Sequence, residues 1–210
     1  VGDLFEYSKN QAPKHIVDKA NEHHMPVLNY LEELASHIKI EEQHVVVLDW
    51  LNGNRSILSN SHLTGSIFGL TLQTPYEMIH RAYIEATAFG TKLIMKQFED
   101  NHIPVHTVYA SGGIPQKSKL LVEIYANVLN KKVVVLDSSN ASALGAAMLG
   151  ATVGNAYSTL KEAALSMKQP IAYIQEPEFQ KVQAYEPLYH KYCELHDLLG
   201  RQYPELSYLI

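Results

Sequence analysis

The residues best placed to do chemistry in this 210-residue chain form one short turn, Ser111-Gly112-Gly113, between an apolar run and a helical pattern. Adjacent glycines remove two Cβ atoms from the carboxyl end of the expected strand. The backbone there is free to take positive φ and to approach a ligand closely. The helix that follows offers unpaired N–H groups and the positive end of its dipole, which favours an anion or a polar ring edge. Ligands of α/β sheets bind at the carboxyl ends of strands, so the position suits a binding site. Taken alone, Gly-Gly between a strand and a helix is more often just a turn. The surrounding residues make neither G-x-x-x-x-G-K-[ST] nor G-x-G-x-x-G.

A second strand–turn–helix unit follows. Lys132 to Leu136 ends at Asp137, and Ser138-Ser139-Asn140 leads into Ala141-Ser142-Ala143-Leu144-Gly145-Ala146-Ala147. Ser or Asn is suited to cap that helix. Gly145, Ala146, Gly150 and Ala151 are small enough for the helix to approach a neighbour closely, and tight packing is their expected role. The two units side by side make a plausible floor for an adenosine cleft.

Other polar residues read as structural. Asp49 ends a strand and is expected to order the Asn52-Gly53 turn. Arg55 is suited to phosphate but is expected to tie its loop to the domain body or to another lobe. His23-His24 has no ligand cluster at metal spacing around it. Glu32-Glu33 and Glu41-Glu42 read as solvated faces. Tyr185, Tyr189 and Tyr192, at helical spacing, read as core or interface packing.

These residues need an alternating scaffold, and the pattern supplies one. Strands are expected at 45–48, 105–110 and 132–136, with a weaker one at 66–70. Helices are expected after Pro26, after Pro75 through Phe98, and over 118–129, 141–153, 159–167 and 179–199. Pro187 should interrupt or restart the last of these. Ser8 to Glu22 fits either a surface helix or an ordered loop. The alternation favours an α/β domain in one compact unit.

Composition narrows the classes. Hydrophobic residues are 46% of the chain, enough for a sizeable core. Lys+Arg number 17 against Asp+Glu 22, a formal net charge of -5, so nucleic acid is a poor partner. The single cysteine, Cys193, allows no internal disulfide and fits a reducing cytoplasm. No apolar run is long enough to cross a membrane. The chain opens at Val1 and its first methionine is Met25, which points to a piece of a longer protein.

Five segments, in order and spacing, resemble the carboxyl-terminal lobe of the FGGY carbohydrate kinases, which share the actin-like ATPase (ribonuclease H-like) fold. They are Asp49-Trp50-Leu51-Asn52-Gly53-Asn54-Arg55, Gly65 to Leu70, Ile79-His80-Arg81-Ala82-Tyr83-Ile84-Glu85, Ala110-Ser111-Gly112-Gly113 and Ala143-Leu144-Gly145-Ala146-Ala147. Together they cover most of residues 45–155. Most members carry Pro-Tyr-Leu-x-Gly-Glu-Arg at the first segment. The Asp-Trp-Leu-Asn-Gly-Asn-Arg form here, the run Arg81 to Gly90 and the opening Val1-Gly2-Asp3-Leu4-Phe5 resemble the ribulokinase branch. Met78 and Tyr83 depart from the general family pattern.

The resemblance implies a mixed sheet flanked by helices, and one nucleotide-binding lobe over residues 1–210 whose sugar-binding lobe lies outside the chain. It implies transfer of the ATP γ-phosphate to a ketopentose, L-ribulose above all, with Mg²⁺, in arabinose catabolism. Nucleotide contacts are implied at Ser111, Gly112 and Gly113. Lys117 aligns with a nucleotide-contacting asparagine of glycerol kinases, and Asp3 is implied to lie near the same cleft. No catalytic residue is implied within the chain, because the base and the phosphate loops would precede Val1. A xylulose- or glycerol-type kinase, or a non-catalytic nucleotide-binding module of the same fold, remains open, as does a homodimer.

Overall fold

The computed structural model describes residues 1–137 and 140–208. Three helices come first: α1 (Gly2–Asn10), α2 (Lys14–Glu22) and α3 (Val27–Ser36). The stretch from Ser8 to Glu22 is therefore helical on both sides of a break at 11–13. Two strands flank a long loop, β1 (Val46–Leu48) and β2 (Ser66–Phe68), and pair antiparallel with Val47 opposite Ile67. Helix α4 (Tyr76–Asp100) follows Pro75, which stands at its N-cap just as Pro26 does for α3.

The second half alternates as expected. β3 (Thr107–Ala110) leads into the short helix α5 (Gly113–Lys117), then α6 (Lys119–Leu129), β4 (Lys132–Leu136) and α7 (Ala141–Val153). After α8 (Leu160–Ser166) comes β5 (Ile171–Gln175), then α9 (Phe179–Asp197). The chain closes with a π-helical turn at 198–202 and a 3₁₀ turn at 204–207. β3 and β4 are parallel, and β5 runs antiparallel beside β4, so this sheet is mixed.

The caps explain several boundaries. Ser118 Oγ accepts from the Leu121 N–H at 3.1 Å and starts α6. Asn130 ends it in the left-handed conformation at φ 50°. Thr159 caps α8 by accepting from the Glu162 N–H at 3.2 Å. Ser138 and Ser139, expected to help cap α7, lie outside the described residues.

The core forms where α4, α6 and α9 converge on β1 and the β3–β4 pair. Ala82, Tyr83, Ala86 and Phe89 of α4 are all buried, as are Leu121, Ile124 and Val128 of α6. Tyr185 and Tyr192 of α9 pack around Phe89, with ring centroids 6.3 and 5.4 Å from it. This packing corrects one expectation. Pro187 lies inside α9, and the helix runs through it. Proline forfeits one helical hydrogen bond there, but buried Tyr185, Leu188 and Tyr192 on either side hold the helix against the core.

A second correction concerns α7. Of the small residues expected to pack it tightly, the glycines meet nothing among the described residues: a Cβ built at Gly145 or Gly150 has no heavy atom within 4 Å. The helix buries none of its residues, and Leu149 and Val153 are exposed. The helix it lies against is α8, and that contact buries no residue of α7.

Candidate functional site

At the carboxyl end of β3 the chain must turn from sheet to helix within two residues. Gly112 makes the turn at φ 99°, ψ 178°, a conformation that strains any residue with a Cβ. It is the N-cap of α5, and Gly113 is the first helical residue. Neither glycine is demanded by crowding, since a Cβ at either would meet no heavy atom of the described residues within 4 Å. The turn is open, with space in front of it that a ligand backed by bare peptide could occupy.

Two cavities meet there. One, of about 460 Å³, is floored by β3 and α6 and lined by Ser111, Gly112, Gly113, Val122 and Tyr125. The other, of about 330 Å³, lies between α3 and α5 and is lined by Phe5, Leu28, Glu32 and Lys117. Gly113 and Ile114 border both. Each volume lies within the range of small-molecule sites, and each combines an apolar floor with a few polar groups.

Glu32 corrects an expectation. It does not sit on a solvated face but reaches this second cavity. Burial raises its carboxyl above the usual carboxylate range, and the Ser118 hydroxyl offsets part of that. Glu33, Glu41 and Glu42 are exposed, as expected.

The structure thus brings Ser111, Gly112, Gly113 and Lys117 to one turn. It does not bring Asp3 into the cavity above β3. Asp3 lines a neighbouring space of about 300 Å³ with Tyr7, Asp49 and Asn52, and the two spaces share only Val1. Helix α7 lines neither cavity at the turn, so the second strand–turn–helix unit contributes β4 rather than its helix.

Asp49 and Arg55 border a further cavity of about 310 Å³ with Thr87, Tyr125 and His196. Burial raises the Asp49 carboxyl. The Asn52-Gly53 turn is ordered chiefly by other groups. The Gly53 N–H donates to the Trp50 carbonyl at 3.1 Å, and Asn54 exchanges backbone bonds of 2.9 and 2.8 Å with Asn60. The Asn54 side chain also accepts from the Leu58 N–H at 3.2 Å. Arg55 is exposed and makes no ion pair among the described residues.

Sequence reasoning misses β5. Its run Ile-Ala-Tyr-Ile-Gln after Pro170 is a readable strand signal. The miss matters because Tyr173 of β5 reaches the turn: its hydroxyl donates to the Pro115 carbonyl at 2.8 Å. No group of three or more His, Cys, Asp or Glu able to hold a metal ion occurs among the described residues. No helix among them is long and apolar enough to cross a membrane.

With this geometry in hand, comparison with known proteins is informative. Residues 1–153 match the family model described as the FGGY family of carbohydrate kinases, C-terminal domain. The whole chain is 97% identical over 210 residues to a protein of Staphylococcus epidermidis named ribulokinase. It is 68% identical over 209 residues to one of Staphylococcus saprophyticus named ribulokinase 1. In both cases it spans 39% of the relative's length. Among solved structures, the ligand-bound xylulose kinase of Lactobacillus acidophilus superposes on 98% of the chain with a TM-score of 0.80 at 20% identity. The xylulose kinase of Rhodospirillum rubrum superposes on 97% with a TM-score of 0.76 at 22% identity. Each match covers 39% of that structure's chain, and at such identities the likeness concerns the fold.

Proposed function

The chain belongs to the FGGY family of carbohydrate kinases, and from that footing we propose that it is the nucleotide-binding lobe of a kinase phosphorylating a ketopentose, L-ribulose in the first instance. The observation that carries the proposal is the open Gly112-Gly113 turn, where bare backbone at positive φ faces two cavities. The residues fit an adenine nucleotide. The glycine cradle is space that any side chain would fill. The apolar surfaces of Ile114, Leu28 and Phe5 suit a base, and Lys117 suits a ring face or a phosphate.

ATP, when bound, supplies the phosphoryl group. The lobe's own work is to hold and orient it, which is most of what phosphoryl transfer requires of a protein. Ser111, Gly112 and Gly113 present backbone at the carboxyl end of β3, and the start of α5 offers N–H groups beside them. We assign no magnesium ligand and no catalytic base to this chain. Both belong, in this reading, to a sugar-binding lobe within the part of the relatives that the chain does not span. The names of the relatives support L-ribulose as substrate, and a cytoplasmic setting accords with the single unpaired Cys193.

The decisive experiment is a coupled assay of the intact polypeptide with ATP, Mg²⁺ and L-ribulose, D-xylulose or glycerol in turn, beside calorimetry with ATP. The reading expects nucleotide binding and highest kcat/KM on L-ribulose. Preference for xylulose or glycerol would replace the substrate, and binding without turnover on any sugar would leave a non-catalytic module. Residues 1–210 alone are expected to bind ATP weakly and to phosphorylate nothing; robust turnover by them would overturn the division of labour between lobes.

A further inference from the structure

The turn that the nucleotide reading depends on begins a helix that cannot hold itself in place. Helix α5 is five residues long and buries none of them. A helix this short is unstable on its own, since nucleation costs more than one turn returns. Ile114 is half-buried against the core, and polar contacts add to it in aiming Gly112 and Gly113.

Two side-chain hydrogen bonds do so, and they tie α5 to different strands. The Tyr173 hydroxyl of β5 donates to the Pro115 carbonyl at 2.8 Å. The next residue, Gln116, donates from Nε2 to the Leu136 carbonyl at the end of β4, at 3.2 Å, and lies 3.4 Å from Asp137 Oδ1. Val135 of β4 stands opposite Tyr173 of β5 in the ladder, so the two anchor points are neighbours on one rigid pair of strands. Consecutive residues of α5 are thereby pinned to the sheet two and three positions beyond Gly113. Tyr173 is half-buried with its ring against the core, which leaves its hydroxyl little freedom to take another partner.

We infer that Tyr173 and Gln116 are positioning residues for the nucleotide: they touch no ligand themselves but hold the Gly112-Gly113 backbone at the angle the nucleotide requires. The inference rests on the nucleotide reading of this turn. It assigns part of the binding energy to a strand that contributes no residue to either cavity at the turn.

The test compares Tyr173→Phe and Gln116→Ala with the unmodified intact polypeptide, using mant-ADP for direct binding and steady-state kinetics with ATP and L-ribulose. Each variant loses hydrogen bonding from a single side chain, so mant-ADP dissociation constants and KM for ATP are expected to rise about three- to tenfold. At saturating ATP, kcat and KM for the sugar are expected to stay unchanged, and thermal midpoints to move by no more than about 2 °C. Undiminished mant-ADP affinity in both variants, with the unmodified protein binding, would overturn the positioning role and leave the nucleotide reading standing. A loss shared equally by kcat, sugar KM and thermal midpoint would mark a general structural role and overturn it as well. Failure of the unmodified protein to bind mant-ADP would remove the nucleotide reading, and this inference with it.

Discussion

Arg81 and Glu85 face each other one turn apart on α4, with guanidinium Nε 2.8 Å from Oε1 and side chains only 6% and 2% exposed. The same guanidinium donates to the Tyr185 hydroxyl at 2.8 Å and to the Ala35 carbonyl at 3.0 Å. Gln43 donates to the other oxygen of Glu85 at 3.1 Å. One ion pair therefore ties α3, α4 and α9 together. Burial pushes the Glu85 carboxyl up, against the pull of Arg81. Glu85→Ala leaves a buried guanidinium without its carboxylate and is expected to cost about 3–5 kcal/mol, read by denaturant unfolding. A loss below about 1 kcal/mol would show that water or another acceptor reaches Arg81.

His80 is a source of pH-dependent stability. Its Nδ1 lies 2.9 Å from Ser8 Oγ, tying α1 to α4, while Nε2 is buried with no hydrogen-bond partner among the described residues. Protonation would leave a buried N–H without an acceptor, and burial lowers the imidazole pKa from 6.5 to about 4. The unfolded chain thus binds the proton more readily than the folded one. Stability from this group is complete above about pH 6.5, falls as pH drops toward about 4, and levels off below that. Over the full range the loss is on the order of 3 kcal/mol. Unfolding midpoints at pH 7 and pH 5 should converge in His80→Asn, and an unchanged slope in that variant would exclude His80 as the source.

Gly113 separates binding from folding. A Cβ there meets no heavy atom within 4 Å among the described residues and faces no positive φ, so Gly113→Val is expected to change stability by no more than about 0.5 kcal/mol. The same side chain occupies the mouth of both cavities at the turn. Nucleotide affinity should fall at least about tenfold, which corresponds to about 1.4 kcal/mol. Calorimetry on the variant checks it, and unaltered affinity would place the nucleotide elsewhere.

Gly69 is the opposite case, a glycine that folding itself requires. It sits at φ 85°, and a Cβ there would lie 2.3 Å from the His44 carbonyl oxygen, a backbone atom that cannot swing aside. Gly69→Ala is expected to destabilise by at least about 2 kcal/mol with little effect on nucleotide affinity once folded. A thermal midpoint within error of the parent would show that the β1–β2 pairing can shift to make room.

Much of the candidate site was legible because its signals are local. The paired glycines, the apolar run before them and the helical spacing after them lie within about twenty residues of sequence, and the structure builds β3, α5 and α6 from them. Asp3 was harder to place. It is far from the turn in sequence, and only the packing of α1 decides which cavity it borders. Glu32 reads as solvated because no local pattern reveals that α3 and α5 border one cavity.

By itself, the sequence determined the alternation of strands and helices, the glycine turn and the family, since these depend on chemistry repeated over short spans. Tertiary structure alone decided that α9 continues through Pro187, because buried tyrosines on both sides offset the lost hydrogen bond. It also decided that α7 lies against α8 without burying any of its own residues, and that a tyrosine 60 residues beyond Gly113 anchors the turn. Contacts of that kind join residues that are remote along the chain. Their energy depends on where the whole core places each backbone, which no local pattern of residue types encodes.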